Sequence, residues 1–343
     1  MRRVVIHRPG GHERLIIEEQ RDPRPGSGEV AVDVQAIGVN YADVIVRMGL
    51  YSSARDYVGW PITPGFEIAG TVAEVGPKVR GLRPGQPVLG VTRFGGYATR
   101  VVAPADQLFP RPASLTPVQA AGFPTVFLTA HYALFELARP AAGSAVLVHS
   151  AAGGVGSALL QLCRAAGCDP VVGVVGGGHK TAVAREHGAT HVIDKSTQRL
   201  WPEASRLASG YQAIFDANGV STLRQSYRHL APTGRLVVYG FHSMLPRTGG
   251  RPRWLRLAWD YLRTPRFDPL DMTQRNRSVL AFNLSYLFSE ATRLRSSMGD
   301  LLARLGRGEL RPLPCASYPL DEVARAHRDL ESGRTVGKLV LVP

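Results

Sequence analysis

The sequence predicts an α/β protein in which a β-rich unit is followed by a doubly wound parallel sheet. Residues 1 to about 120 show short strand patterns separated by Pro, Gly and acidic turns. From residue 145 to about 240, short apolar runs alternate with helical patterns, as in parallel βαβ units. With 343 residues, the chain is long enough for two domains that each have a core.

In the first unit, the clearest strand pattern covers residues 30–34. Val30, Val32 and Val34 alternate with Ala31 and Asp33, which is typical of a strand with one buried face. Further strand patterns follow at residues 68–76, 81–90 and 95–102. Prolines at 110, 112 and 117 mark the end of the unit, and helical apolar spacing begins at residue 120.

A strand, a small-residue turn and a helix follow one another within residues 145–164. The turn SAAGGVG at residues 150–156 places Ala151, Gly153 and Gly156 on the phases of G-x-G-x-x-G, with alanine in place of the first glycine. The same turn would also serve to pack a helix closely on a sheet. Because the apolar strand precedes it and the helix follows directly, the pattern favours a site for a dinucleotide pyrophosphate at the helix N-terminus.

The remaining elements of the parallel sheet follow in alternation. Strands are predicted at residues 170–175, 191–193, 213–215 and 234–240, with helices at 180–187 and 222–230. An insertion of mixed character occupies residues 244–276, and residues 337–342 form a final apolar strand.

The end of the second strand of this sheet favours NADPH over NADH. Residues 174–180, VVGGGHK, carry no carboxylate for a free ribose, and Lys180 can pair with a 2′-phosphate. An exposed lysine in the first helical turn is the alternative interpretation.

Composition favours a cytoplasmic protein. No stretch resembles a signal peptide or a membrane-spanning helix. The three cysteines, Cys163, Cys168 and Cys315, are too few and too irregularly spaced for a disulfide framework or a structural zinc site.

The formal net charge is +14, and the excess is not spread evenly, because many arginines fall within residues 247–277. This stretch contains Arg247, Arg251, Arg253, Arg256, Arg263, Arg266, Arg275 and Arg277, with Trp254, Trp259 and Tyr261 among them. Arginines mixed with aromatics suit an anionic membrane or nucleic acid, whereas a solvated helix face with a tryptophan in the core is the other interpretation. No nucleic-acid reader motif accompanies the charge, so specific nucleic-acid binding is not predicted.

Five motifs carry a resemblance to a known family over essentially the whole chain. They are GVNYAD at 38–43, PGFEIAGTVAEVG at 64–76, LTAHYAL at 128–134, SAAGGVG at 150–156 and VGKLVLVP at 336–343. The chain resembles the zinc-free quinone oxidoreductase branch of the medium-chain dehydrogenase/reductase superfamily. Residues 275–288, RNRSVLAFNLSYLF, are most similar to its vesicle amine transport protein-like members.

The resemblance implies two domains and a zinc-independent reaction. Residues 1–122 and 278–343 would form a GroES-like catalytic domain, and residues 123–277 a Rossmann NADPH-binding domain. Zinc alcohol dehydrogenases carry Cys and His where this chain has Asn40 and Phe66, and the four-cysteine lobe is absent. Because catalytic zinc usually has three protein ligands, Glu67 alone does not make a metal site.

The implied reaction moves hydride from the dihydronicotinamide to a quinone or an α,β-unsaturated carbonyl. Asn40 and Tyr51 are the predicted catalytic residues. Asn40 would lie near the nicotinamide and its ribose, and Tyr51 would be either a proton donor or part of the pocket wall.

The resemblance also implies a set of cofactor contacts. These are Asn40, Thr129, Ala152, Gly153, Gly154, Val155, Gly156, Lys180, Lys195, Asn218, Gly240, Phe241 and Lys338. Lys195 stands where the family often has an aromatic residue, so it either adds a phosphate contact or points away. Lys338 matches the terminal Gly-Lys pair, although a charge at a strand end is an equal interpretation.

Two other functions remain open at this point. One is an enoyl-thioester reductase, and the other is a catalytically weak NADPH-binding protein that associates with anionic membranes or partners. By analogy with related folds, which pair through edge strands of the nucleotide domain, a homodimer is expected.

Overall fold

Two large β-sheets form the framework of the protein in the computed structural model, which describes residues 1–343. The strands are β1 (Arg2–Val5), β2 (Ile16–Glu19), β3 (Glu29–Val39), β4 (Glu67–Val75), β5 (Pro87–Val91), β6 (Arg100–Pro104), β7 (Leu108–Pro110), β8 (Val146–Val148), β9 (Val171–Val175), β10 (His191–Asp194), β11 (Tyr211–Asp216), β12 (Leu230–Val238), β13 (Ser278–Ala281), β14 (Cys315–Pro319) and β15 (Lys338–Val342). The helices are α1 (Tyr41–Arg47), α2 (Ser52–Tyr57), α3 (Pro117–Ala121), α4 (Pro124–His131), α5 (Gly154–Ala165), α6 (Thr181–Glu186), α7 (Leu200–Leu207), α8 (Leu223–Arg228), α9 (Trp254–Arg263), α10 (Pro269–Arg275), α11 (Ala291–Gly306) and α12 (Val323–Glu331).

The first sheet has the order β14-β15-β3-β4-β5-β7, and β6 also pairs with β3. Its strands are antiparallel except for the parallel pair β14 and β15. The strand predicted at residues 30–34 is confirmed as part of β3, but its alternation is incomplete: Asp33 is exposed, whereas Ala31 is as fully buried as Val30 and Val32. The predicted β-rich unit is therefore confirmed.

The second sheet is six-stranded and parallel throughout, with the order β10-β9-β8-β11-β12-β13. Strands β8 and β9 are buried along their whole length, as the continuous apolar runs predicted. The chain leaves β8 first toward β9 and later toward β11. This reversal of strand order forms the crevice in which α/β folds of this kind bind ligands, so the doubly wound prediction is confirmed.

The predicted domain boundary at residue 278 is wrong for the segment that follows it. Strand β13 pairs in parallel with β12, where Arg235 lies opposite Ser278, so it is the sixth strand of the second sheet. It is an edge strand of four residues, three of them half-buried, whereas the interior strands β8 and β9 are fully buried. The chain rejoins the first sheet later, at β14 and β15, and β15 pairs with β3.

Strand β15 also connects the first sheet to the glycine turn of the second. Gly337, directly before β15, forms a parallel bridge with Gly153, and its N–H donates to the Ala152 carbonyl at 2.9 Å. Gly337 has φ of 65°, and a Cβ there would lie 2.1 Å from the Pro314 carbonyl oxygen. Only glycine fits this contact.

A buried charge network fixes α1 against α12 and the start of the insertion. Arg47 and Glu331 form an ion pair at 2.8 Å, with side chains 0% and 1% exposed. His12 Nε2 lies 3.0 Å from the same Glu331 oxygen, and Arg47 Nη2 donates to the Gly250 carbonyl at 3.0 Å. The insertion at 244–276 contains α9 and α10, and none of the helices has the length and apolar character required to cross a bilayer.

Replacing Glu331 with Gln should destabilise the protein strongly, because it leaves the Arg47 charge buried without its counter-ion. Breaking a buried pair in this way costs about 3–5 kcal/mol. The free energy of unfolding, measured by urea denaturation, should fall by an amount in that range. Glu322→Gln is the matched control, since it removes an exposed partner of Arg325 and should change stability little. An equal, small loss for both variants would contradict the assignment.

Candidate active site

Asn40 stands at the junction of β3 and α1, where it caps the helix. Its backbone N–H donates to Asp43 Oδ2 at 2.8 Å, and the two residues form a capping box. The local sequence N-x-x-D therefore fixes where α1 begins and where the Asn40 side chain leaves the backbone.

The Asn40 side-chain amide is held between two opposite charges. Asn40 Nδ2 donates to Glu67 Oε1 at 2.9 Å, and Lys338 Nζ donates to Asn40 Oδ1 at 2.5 Å. Lys338 and Glu67 also pair directly at 2.7 Å, with side chains 3% and 0% exposed. A flipped amide would point its carbonyl at the carboxylate and its NH₂ at the ammonium, so one orientation is fixed.

Lys338 uses all of its donors within the protein. Besides Asn40 and Glu67, its ammonium donates to the Val39 carbonyl at 2.8 Å. An ammonium has three N–H groups, so a direct contact with a cofactor phosphate would require one of these three contacts to break. The predicted cofactor contact of Lys338 stays a prediction, and in the structure its ammonium contacts the Asn40 amide.

The predicted glycine turn lies at the N-terminus of α5, at the carboxyl end of β8. Gly153 is the N-cap residue, and Gly154, Val155 and Gly156 form the first turn of this 12-residue helix. A Cβ on Gly156 would lie 2.3 Å from the Ser150 carbonyl, so this position requires glycine for close helix–strand packing. Ala152 is buried just before the helix, whose first amides have no partner within the helix.

The residues after β11 and β12 lie at the same carboxyl edge of the sheet. Asn218 Oδ1 accepts from the Ser150 hydroxyl at 3.1 Å, which ties it to the glycine turn. Its Nδ2 is buried without a hydrogen-bond acceptor, as expected of a group that receives a ligand. Gly240 and Phe241 follow β12, and the Phe241 side chain is 44% exposed. These residues therefore fit a dinucleotide laid across this edge.

Lys180, Lys195 and Arg247 form a basic cluster. Lys180 follows β9, with Nζ donating to the Gly333 carbonyl at 2.5 Å, and Lys195 follows the neighbouring strand β10. Loss of hydration, and then the positive charge of Arg247, lower the pKa of both lysines. No carboxylate pairs with any of the three within 4.0 Å, so the cluster fits an anion such as a 2′-phosphate. Sequence reasoning missed Arg247, which it counted only as part of the basic stretch.

Thr129 lies on α4, one helical turn beyond Thr125. The Thr129 hydroxyl donates to the Thr125 carbonyl at 2.7 Å, which leaves its oxygen free to accept a hydrogen bond. The Thr125 backbone N–H donates to Glu67 Oε2 at 2.8 Å. The N-terminus of α4 is thus tied to the same carboxylate that orients Asn40.

Three aromatic rings form a wall next to the Asn40 site. The Tyr51 ring lies 5.7 Å from that of Phe66 and 6.3 Å from that of Phe94, both edge-on. Tyr51 OH donates to Asn283 Oδ1 at 2.7 Å, which joins α2 to the segment after β13. Burial raises the pKa of Tyr51, which keeps the phenol neutral. Asn283 was not predicted as a site residue, because its contact with Tyr51 spans 232 residues.

The side chains of Asn40, Phe66 and Glu67 do not form a zinc site. No group of three or more His, Cys, Asp or Glu side chains is arranged to hold a metal ion. Phe66 offers no ligand, and the Glu67 carboxylate is neutralised by Lys338.

Asp43 is a fully buried acid beneath this site. It accepts from the N–H groups of Asn40 and Gly65, each at 2.8 Å, and from Tyr97 OH at 3.1 Å. Burial outweighs these donors and the charge of Lys338, and it raises the pKa of Asp43 to about 7.

This shift predicts a pH-dependent contribution to stability. An aspartate has a pKa of about 3.9 in the unfolded chain, so the folded state binds the extra proton between about pH 4 and pH 7. The stabilisation by protonated Asp43 is complete below pH 4 and is lost as the pH rises through about 7. The difference in unfolding free energy between the wild type and Asp43→Asn should therefore fall across this window and level off above it. Urea denaturation at several pH values measures it, and a difference independent of pH would refute the shift.

Comparison with protein families matches both halves of the chain. Residues 26–113 match the alcohol dehydrogenase GroES-like domain, and residues 187–341 match the family described as zinc-binding dehydrogenase. Among curated proteins, the synaptic vesicle membrane protein VAT-1 homolog of Rattus norvegicus is 33% identical over 100% of this chain and 84% of its own length. A quinone oxidoreductase of Mus musculus is 30% identical over 100% of this chain and 98% of its own.

Solved structures of similar proteins superimpose over the whole chain. The Escherichia coli quinone oxidoreductase complexed with NADPH superimposes with a TM-score of 0.85 and 27% identity, covering 100% of both chains. The human VAT-1 homolog-like protein superimposes with a TM-score of 0.84 and 27% identity, covering 100% of this chain and 98% of the other.

Proposed function

Because the chain belongs to the medium-chain dehydrogenase/reductase superfamily, alongside VAT-1 homologues and quinone oxidoreductases, we propose that it reduces a quinone or an α,β-unsaturated carbonyl with NADPH and without zinc. The observation that carries this proposal is the Asn40 amide, which Glu67 and Lys338 hold in one orientation beside the aromatic wall of Tyr51 and Phe66.

The residues at the carboxyl edge of the second sheet suit NADPH. The first amides of α5 and the glycine turn would hold the pyrophosphate, and Asn218 would offer its unpaired Nδ2. Lys180, Lys195 and Arg247 would hold the 2′-phosphate. When bound, NADPH supplies the hydride, and the protein supplies position and a dry pocket.

Asn40 and the aromatic wall would position the acceptor and the nicotinamide end. The second N–H of the Asn40 amide has only the Gly38 carbonyl, at 3.5 Å, so it remains available to a ligand. Phe66 and Phe94 offer apolar edges that exclude water and suit a flat acceptor.

Zinc independence rests on the ammonium of Lys338. It neutralises Glu67, the one carboxylate at the position where related dehydrogenases hold their metal. Without a Lewis acid, the substrate must already be electron-poor, which favours quinones and enones over unactivated carbonyls. An enoyl thioester offers the same polarised double bond and is the alternative acceptor.

Turnover of the purified protein tests this proposal. With a panel of quinones, enones and enoyl thioesters, NADPH absorbance should fall at a rate that a zinc chelator does not change. NADH should be used less efficiently. Tight NADPH binding with no turnover on any acceptor would overturn the proposal.

The preference for NADPH should depend on the basic cluster. In Lys180→Gln/Arg247→Gln, the KM for NADPH should rise at least about tenfold because charge-assisted contacts to the 2′-phosphate are lost. The KM for NADH should stay unchanged, since NADH has no such phosphate. Arg24→Gln/Arg199→Gln is the matched control, because it also removes two charges and both arginines are exposed without an ion-pair partner. An equal effect on both cofactors would contradict the assignment.

We propose that Tyr51 is a wall residue and not the proton donor, because its hydroxyl already donates to Asn283. In Tyr51→Phe the ring remains, so kcat should fall by less than about tenfold, whereas loss of a general acid costs about 10²–10⁴. Steady-state kinetics with one quinone and one enone measure this. Tyr57→Phe, at the exposed end of α2, is the control. A fall of a hundredfold or more, confined to Tyr51→Phe, would assign the phenol as the acid.

A second candidate function is association with an anionic membrane, favoured by the exposed face of α9. Trp254, Leu255, Trp259 and Leu262 are between 60% and 91% exposed, and the last three, at i, i+4 and i+7, share one face of the helix. Both tryptophans are thus exposed, so the interpretation that placed a tryptophan in the core is wrong. Leu257, on the inner side, packs against the cluster that includes Val44, Met48 and Leu245. Exposed apolar residues flanked by arginines suit an interfacial helix.

Replacing Arg251, Arg253 and Arg256 with Ala should weaken binding to vesicles that contain phosphatidylserine, because about 1 kcal/mol of attraction is lost per arginine near such a surface. Co-sedimentation with vesicles measures the bound fraction, and NADPH turnover should stay unchanged. The control Arg24→Ala/Arg80→Ala/Arg83→Ala removes the same charge from exposed sites without ion-pair partners. Equal binding of wild type and the α9 variant would remove this candidate.

We also propose a homodimer through the edge of the second sheet. Strand β13 pairs with β12 on one side and with no other strand. An unpaired edge offers backbone groups to a second copy of the chain.

A further inference from the structure

A pocket of about 560 Å³ opens between α8 and the segment that connects α9 to β13. Five of its ten lining residues are arginines: Arg224, Arg228, Arg266, Arg275 and Arg277. Helix α8 leads into the first residue of β12, and Arg277 directly precedes β13. The pocket therefore lies at the amino ends of these parallel strands, opposite the carboxyl edge proposed to receive NADPH.

The pocket carries positive charge that the protein does not neutralise. Of its two acidic residues, Asp271 pairs with Arg275 at 2.6 Å and accepts from Tyr227 OH at 2.9 Å. The Asp268 side chain caps α10 by accepting from the Leu270 N–H at 3.0 Å. Arg224, Arg228 and Arg266 have no carboxylate within 4.0 Å and make no side-chain hydrogen bond. Three guanidinium groups are thus left to bind an anion.

A fourth arginine is held in place with a spare donor. Arg277 Nη1 donates to the Tyr227 carbonyl at 3.3 Å, and its guanidinium carbon lies 5.7 Å from the centre of the Tyr227 ring. The Nε of Arg277 is buried and has no acceptor in the protein. A buried donor without a partner is costly, and an oxyanion in the pocket would satisfy it.

The floor of the pocket is aromatic. The rings of Tyr227 and Phe267 lie 5.2 Å apart at an angle of 52°. Such a floor can contact the organic part of a ligand while the arginines hold its charged group. Among common anions, phosphate matches the forked geometry of several guanidinium groups and accepts from all of them.

We propose that this pocket binds the phosphate group of an organic phosphate, at a site separate from the NADPH cleft. The phosphate could belong to a soluble ester or to the headgroup of a phospholipid. Leu270, which is 72% exposed on α10 beside the pocket, would contact the acyl region if the source is a lipid.

The experiment uses the full-length protein saturated with NADPH, so that the cofactor cleft is already filled. Isothermal titration calorimetry follows the addition of adenosine diphosphate as the soluble ester. Co-sedimentation follows binding to phosphatidylcholine vesicles with or without phosphatidic acid. The pocket variant is Arg224→Gln/Arg228→Gln/Arg266→Gln, and its control is Arg24→Gln/Arg80→Gln/Arg83→Gln, which removes the same charge from exposed positions elsewhere.

In the pocket variant, binding should weaken at least about tenfold, while the control stays close to the wild type. Loss of diphosphate binding supports a soluble ester, and loss confined to phosphatidic acid vesicles supports a lipid headgroup. Equal losses in both variants, or no binding by the wild type in either assay, would overturn the proposal. NADPH turnover of the pocket variant should equal that of the wild type, so failure here is distinguishable from failure of the proposed reductase function.

Discussion

The buried ion pair between Lys338 and Glu67 is the interaction on which the candidate active site depends. It joins β15 to the start of β4, and both partners contact the amide of Asn40. The residue before Lys338, Gly337, makes a backbone hydrogen bond to the glycine turn that precedes α5. The two regions that would hold the pyrophosphate and the nicotinamide are therefore connected through two consecutive residues of one strand. A displacement of either region would therefore disturb the contacts that Gly337 and Lys338 make with the other.

The sequence was sufficient to predict the parts of the fold whose signals are local. Apolar runs such as 171–175 and the small-residue turn at 150–156 define the parallel sheet and its cofactor edge within a few neighbouring residues. The arrangement around Asn40 could not be predicted in this way, because Asn40 and Lys338 are 298 residues apart. In the sequence, Glu67 was the one remaining ligand of a metal site. The structure shows that its carboxylate accepts hydrogen bonds from Asn40 and Thr125 and pairs with Lys338. Strand β13 was assigned to the other domain because the family resemblance returns the C-terminal segment to it, and the short apolar run at 279–282 does not reveal which sheet it joins.

The arginines of residues 247–277 show a second reason why sequence reasoning falls short. Along the chain they form one basic stretch, but the fold separates them into three environments. Arg247 lies with Lys180 and Lys195, Arg253 and Arg256 border the exposed face of α9, and Arg277 lies in the pocket beneath β13. Distance along a chain does not reveal on which edge of a sheet a side chain emerges. Arginines that form one basic stretch in the sequence therefore lie at three separate places in the fold, where they would not contact the same ligand.

The position of β15 has a consequence for how the protein is made. Strand β15 lies between β14 and β3 in the first sheet, although β3 leaves the ribosome some 300 residues earlier. Until residue 338 has been translated, the nascent first domain has an open edge at β3, and Glu67 has no cation to neutralise it. The strands of the first domain can begin to pair early, but Asn40 receives its hydrogen bond from Lys338 only when this late strand inserts. Closure of the β3 edge and neutralisation of Glu67 are thus coupled to the synthesis of β15, which follows every strand of the second sheet in the chain.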